Sequence, residues 1–330
     1  LLSPEAFQQA SDIALTLYVP LALGYGLRKT GLLGTGWTRP CMVWLMVLVE
    51  PPITMYSLWV LRTDDVAVGS SFLAGVGSII LAAALVTTAM IFIARAVSEP
   101  FGHAPRTRGA FIGSVMFSNN GFTFGVFICL LFLGIRGQSV GLVYATYFLP
   151  YFVIVGFAIG RRYGQAKKLS FGRQIRSVFT EPLSALPLAG FVLGLVLHQV
   201  AHRPPAWILP VNTAIVRIEV AVYAFAIGCT LSLRNVRKYW KECATCCGMK
   251  FLVMPLVGMG VVFGLRGLGV LTYEPIVGKV IFIQTCMPAA IMSVVLAKLF
   301  RLNEDLANSC WVVTTVASAA VLPFVYLLLP

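Results

Sequence analysis

Apolar stretches of roughly twenty residues, the length a helix needs to cross the hydrocarbon core, follow one another along the whole chain. The pattern predicts about ten membrane-crossing helices. They cover 9–28, 40–61, 66–94, 108–134, 139–160, 181–201, 207–233, 244–265, 275–299 and 304–328. The connections between them are short and leave no room for a soluble domain. No solenoid-type period recurs. The predicted class is an all-α membrane protein. The first segment lacks a basic leader and a small-residue cleavage motif, so it is not read as a signal peptide.

Two segments are broken by polar residues near their middles. The fourth contains Phe117-Ser118-Asn119-Asn120-Gly121-Phe122 and the ninth contains Gln284-Thr285-Cys286-Met287-Pro288-Ala289. Backbone that leaves helical geometry inside a bilayer exposes N–H and C=O groups that lipid cannot satisfy. It persists only where protein surrounds it or where it lines a cavity. A matched pair of interrupted segments in two halves of a chain points to a transporter's substrate site. Asn119 and Asn120 supply donors and acceptors without a buried charge. Gly121 permits backbone angles that strain other residues. Pro288 lacks an N–H and suits the first turn of a new half-helix. Each new helix start offers free N–H groups and a positive dipole end, which attract carboxylate or phosphate. The candidate substrate-binding residues are Ser118, Asn119, Asn120, Gly121, Thr285, Met287 and Pro288. A kink that serves only helix packing would explain either break alone; the pairing favours a site.

Composition agrees with a membrane protein and excludes an ordinary soluble domain. The chain is 58% hydrophobic and 11% charged, with a mean hydropathy of +0.88. A net charge of +13 would suggest nucleic acid in a soluble protein. Here its distribution gives orientation instead. Of the 25 Lys and Arg residues, eighteen lie in the connections after segments 1, 3, 5, 7 and 9. Four, namely Arg62, Arg136, Arg203 and Arg266, lie in the connections after segments 2, 4, 6 and 8. The odd-numbered connections are therefore expected in the cytoplasm, with both termini on the other side of the cell (inner) membrane. The eight cysteines do not suggest a disulfide framework; most sit in apolar surroundings as small hydrophobes. Cys243-x-x-Cys246-Cys247 lacks the further ligands a metal site needs, and no cofactor is expected.

The most basic stretch, Arg161 to Arg176, divides five segments from five. Five is odd, so the second half starts on the opposite side of the membrane from the first. The expected organisation is two inverted five-helix repeats, 1–160 and 179–330, joined by a basic cytoplasmic linker at 161–178. The polar breaks fall in the fourth segment of each half. An acid falls in the second of each, Glu50 and Glu219. Intramembrane ionisable groups are functional hypotheses by default. Arg217 and Glu219 are two apart and do not share a helix face, so an Arg217–Glu50 contact between helices is the candidate pairing. A scaffold ion pair or a proton relay through Glu50, Arg217 and Glu219 is the expectation. Lys250, about seven residues into segment 8, either reaches the cytoplasmic surface or supplies a positive charge near the unwound region.

The ordered strings along the chain carry a family resemblance. Leu23-Gly24-Tyr25-Gly26-Leu27 is followed by Arg28-Lys29-Thr30-Gly31. Then come Phe117-Ser118-Asn119-Asn120-Gly121-Phe122, Glu181-Pro182-Leu183 and Gly190-Phe191-Val192-Leu193-Gly194. After them stand Ala226-Ile227-Gly228-Cys229-Thr230-Leu231, Lys250-Phe251-Leu252-Val253-Met254-Pro255 and Met287-Pro288-Ala289-Ala290. In order and spacing the chain resembles the auxin efflux carrier family over nearly its whole length. The short linker makes it similar to compact bacterial-type members, which carry organic anions. The resemblance implies broken helices 4 and 9 that cross at mid-membrane, as in bile-acid symporters. It implies a mobile transport domain of segments 3–5 and 8–10. It also implies a scaffold of segments 1, 2, 6 and 7, dimerised through segments 2 and 7, and an elevator mechanism. One departure is visible. Family members often place an Asn soon after the ninth-segment proline, whereas here Ala289, Ala290, Ile291 and Met292 follow Pro288.

The expected function is thus a secondary transporter of a small organic anion, a mono- or dicarboxylate, with no enzymatic activity. No acid lies within segments 3, 4, 5, 8 or 9 away from their ends. That leaves no obvious internal carboxylate for coupling to a proton, whereas sodium could bind through hydroxyls and amides; Ser114, Thr123, Gln284 and Lys250 are the candidate ion-binding or charge-compensating residues, and uniport driven by membrane potential fits as well. A bile-acid or arsenite-type carrier of the same architecture is one alternative. A ligand sensor that does not transport is another. Neither a hydrolase motif nor a zinc motif is present.

Overall fold

The computed structural model describes residues 4–164, 172, 176, 180, 182–200 and 204–329, and no strand occurs among them. Most of the basic linker, Lys167, Lys168 and Arg173 included, lies outside the described residues, as do Glu181 and Arg203. Among the described residues, six helices are long and apolar enough to cross a membrane: Thr38–Trp59, Phe72–Ser98, Gly125–Tyr163, Ile208–Thr230, Trp240–Gly267 and Glu304–Leu327. Two shorter apolar helices are Ala185–Val200 and Pro275–Thr285. In chain order the helices are α1 (4–29), α2 (Thr38–Trp59), α3 (Phe72–Ser98), α4 (Pro105–Met116), α5 (125–133) and α6 (135–163). They continue as α7 (Pro182–Val200), α8 (Ile208–Thr230), α9 (Trp240–Gly267), α10 (Pro275–Thr285), α11 (Met292–Leu299) and α12 (Glu304–Leu327).

The polar breaks end helices where the sequence places them. Segment 4 becomes α4 and α5, and segment 9 becomes α10 and α11. The long apolar run 125–163 is folded at Gly134, whose φ of 67° and ψ of −160° interrupt the helix. A positive φ is cheap only for glycine. Beyond it, Gly137 and Gly141 lie against Cys129, so α5 and α6 run back along each other. Arg136, just past this turn, pairs through both guanidinium nitrogens with Asp65, which is 1% exposed. Removing one partner of a buried pair leaves an uncompensated charge. Arg136 is itself about half exposed, so water screens the pair, and Arg136→Ala should lower stability by about 1–2 kcal/mol, seen as a lower melting temperature in detergent. An unchanged melting temperature would show that the turn does not depend on the pair.

Among the described residues, four helices contain a single π turn, at Ala14–Tyr18, Leu45–Val49, Phe152–Gly156 and Met249–Val253. Three of these turns stand just before a proline: Pro20, Pro51 and Pro255. Proline has no N–H to fill the helical ladder and its ring crowds the preceding turn, so the helix widens locally. Glu50 caps the π turn of α2 and Lys250 lies within that of α9. These two of the intramembrane ionisable residues thus sit where local geometry departs from the α-helix.

Packing sorts the helices into two groups. α1 lies against α8, and α2 against α7. At the α1–α8 contact, Gly24 meets the Phe225 carbonyl and Gly228 meets the Leu21 carbonyl. Small residues let membrane helices approach at backbone distance. The second group joins α3 to α4 and α9, α10 to the α5–α6 pair and α9, and α11 and α12 to α4. The broken helices all belong to this second group.

Candidate functional site

The two breaks meet. Asn119 N–H donates to Pro288 O at 2.9 Å, and Ala290 N–H donates to Phe117 O at 3.0 Å. Ser118 and Ala289 therefore face each other as an isolated antiparallel bridge. This exchange satisfies backbone groups that have left their helices, as a low-dielectric interior requires. Thr314 of α12 holds the second break from behind, its hydroxyl accepting from Ala289 N–H at 3.1 Å. Gln284 ties the first break to α6. Its Nε2 donates to Asn120 O and to Gly141 O, each at 3.2 Å.

The two asparagines differ. Asn119 Oδ1 accepts from Thr123 Oγ1 at 2.5 Å, so this side chain is committed to the loop. Asn120 is 2% exposed, and neither its amide oxygen nor its nitrogen completes a hydrogen bond, although the Tyr147 hydroxyl lies beside it. Gln284 Oε1 is likewise buried without a partner. A buried polar atom with no partner costs stability. Retaining one beside a cavity is consistent with a ligand that completes it.

That cavity is about 270 Å³ and lies between the crossing and the first helix group. Ser118, Asn119, Asn120, Gly121 and Thr123 line it from the first break, and Ala290, Ile291 and Met292 from the second. The opposite wall is largely apolar, with Met42, Met46, Leu188 and Phe191, but it includes Glu50 and Tyr223. No lysine or arginine lines it. α5 begins at Gly125 and α11 at Met292, and neither start carries a side-chain cap. Both first turns border the cavity, through Val126 and Met292.

Several sequence candidates lie elsewhere. Ser114 and Thr285 donate to carbonyls of their own helices, Ala110 O at 3.0 Å and Phe282 O at 2.8 Å. Met287 and Pro288 are buried and do not line the cavity, Pro288 giving its carbonyl to the bridge; the lining draws instead on the three residues after Ala289. Lys250 does not reach the surface. It is fully buried, and its Nζ donates to Ser118 Oγ at 2.8 Å and lies 3.7 Å from Met254 Sδ. The expected Arg217–Glu50 contact is not formed. Arg217 pairs with Asp12 of α1 at 3.3 Å, on a half-exposed face of α8. Glu50 instead accepts from Tyr223 Oη at 2.8 Å. Tyr223 follows Glu219 by one helical turn, and Glu219 is close enough to feel the Glu50 charge. Both Glu219 carboxylate oxygens are buried without a hydrogen-bond partner. Tyr223 and Tyr147 were not singled out in the sequence. The i, i+4 spacing from Glu219 to Tyr223 is the signal that would have found the first. The eight cysteines are free thiols.

No family model matches the chain. An uncharacterized transporter of Methanothermobacter thermautotrophicus is 24% identical to it over 330 residues, covering 96% of this chain and 97% of that protein. This likeness and the long apolar helices support an integral membrane protein of transporter type.

Proposed function

We propose that the protein is a secondary carrier of a small organic anion, of the auxin efflux carrier kind, and that the anion binds where the two broken helices meet. The observation that carries this reading is the buried, unpartnered amide of Asn120 on the wall of the cavity. The two helix starts at the same wall add positive dipole ends without a fixed cation, although the N–H groups of Gly125, Val126, Ser293 and Val294 already donate to carbonyls of the breaks. Such a site suits a carboxylate head. The rest of the wall is apolar, and its one ionisable carboxyl group is Glu50, which would repel a second negative charge. A monocarboxylate with an apolar body therefore fits better than a dicarboxylate.

The same reading takes the architecture as two inverted five-helix repeats. α1, α2, α7 and α8 serve as scaffold, and the group containing the crossing moves as an elevator. The separation of the helices into these two packing groups supports it. A homodimer through α2 and α8 belongs to the proposal; Trp44 and Leu48 on α2 and Ile215 and Ile218 on α8 are exposed apolar side chains there. The test is saturable uptake of labelled monocarboxylates by proteoliposomes, compared with protein-free vesicles and with dicarboxylates. Uptake that saturates and is inhibited by other monocarboxylates is expected. A purified, folded protein that moves none of them would overturn the reading.

A further inference from the structure

Lys250 is the charge this reading leaves unused. Its ammonium group is fully buried in α9, and its hydrogen-bond partners are neutral: Ser118 Oγ and Met254 Sδ. The titratable group in electrostatic reach is the Cys246 thiol, one turn earlier on α9. From α12, Cys310 is engaged with Cys243 and Cys246. The other helices packed on α9 are α3, α4 and α10. Their charged residues are the cations Arg95, Arg106, Arg108 and Lys279; α12 carries Glu304 and Asp305 in its first turn, and on α9 itself Glu242, two turns before Lys250, pairs with His103. Among the described residues, no acid faces the amine. An ammonium without a counter-charge is costly in a low-dielectric interior. The hydroxyl that touches it, Ser118 Oγ, belongs to a residue that also lines the cavity.

We propose that Lys250 carries a proton across the membrane together with the organic anion, so that the two move as a neutral pair. This rests on the anion-carrier reading above. An anion seated at the crossing supplies the missing counter-charge one hydroxyl away from Nζ, and it stabilises the protonated amine. By linkage, the protonated amine stabilises the bound anion to the same extent. The proton enters from the loading side through the Ser118 hydroxyl and binds the Nζ lone pair. It leaves by the same hydroxyl on the far side once the anion has gone. Each cycle moves one anion and one proton, no net charge, and breaks only N–H and O–H bonds that re-form. Lys250 is a positioning residue in this scheme, since it acts on the anion through Ser118.

The test uses the whole protein in proteoliposomes, with labelled benzoate and benzenesulfonate as probes. Benzenesulfonate stays ionised, so any proton that moves with it belongs to the protein. Tracer flux, internal pH and membrane current are recorded together. The expected result is one proton per anion and no current in the wild type. In Lys250→Met, the remaining flux should carry no protons and should generate current. Wild-type flux that carries current without protons overturns the proposal alone. So does a Lys250→Met variant that still moves protons with the anion. Absence of saturable flux for both anions in the wild type overturns the carrier reading and this proposal together. If Lys250→Met does not fold, Lys250→Arg, whose guanidinium keeps its proton, takes its place, and protons that still move with the anion in that variant overturn the proposal.

Discussion

Asn120→Ala should abolish most anion flux and leave the protein as stable as before. Hydrogen bonds to a charged group contribute about 1.5–3 kcal/mol, so the expected loss of affinity is about 10- to 100-fold. The fold depends little on the same amide. Neither of its polar atoms makes a hydrogen bond within the protein, so their removal relieves an unsatisfied burial. The melting temperature in detergent should therefore stay unchanged or rise slightly. The neighbouring substitution separates the two effects. Asn119→Ala removes the acceptor of Thr123 Oγ1 and should lower both stability and flux. Flux retained by Asn120→Ala would remove the anion site from the crossing.

Gln284→Leu should have the largest effect on stability among the residues at the crossing. Leucine fills much of the same space but cannot donate to Asn120 O or Gly141 O. A buried carbonyl left without a donor costs about 1–3 kcal/mol, so a loss of about 2–3 kcal/mol is expected. The side chain is also packed tightly, because Gly125 lies directly against Gln284 Oε1. The first break would then lose its tie to α6, and flux should fall along with the melting temperature. Thermal unfolding and tracer uptake measured on one preparation check both. An unchanged melting temperature would show that the bridge between the two breaks holds the crossing without Gln284.

Glu50 and Tyr223 face the crossing from the other side of the cavity, with Glu219 one turn before Tyr223 on α8. The two acids come from different helices; Tyr223 donates to Glu50, Glu219 has no hydrogen-bond partner, and Arg217, the cation expected against Glu50, is engaged with Asp12 of α1. Periodicity marked Glu50, Arg217 and Glu219 as intramembrane ionisable residues, but their pairing depended on how α8 is rotated against α1 and α2. A rotation by one or two residues changes which neighbouring helix a side chain faces, and no local pattern encodes that rotation.

The sequence alone determined an all-helical membrane class, since lipid forces backbone groups to bond within a helix; against ten predicted spans, the described residues form six helices long and apolar enough to cross and two shorter apolar ones. Asn119-Asn120-Gly121 and Met287-Pro288 marked where that bonding fails. Prolines 20, 51 and 255 account for π turns at a fixed distance before them, because the cause is one missing N–H and one ring. The tertiary structure decided which groups meet across the chain. It brought Ser118 opposite Ala289, placed Lys250 under the Ser118 hydroxyl and left Asn120 without a partner. It also spent the hydroxyls of Ser114 and Thr285 inside their own helices. Those outcomes rest on contacts between residues more than a hundred positions apart, or on the direction a side chain takes once its helix is packed. Composition and spacing limit such contacts, and packing selects among them.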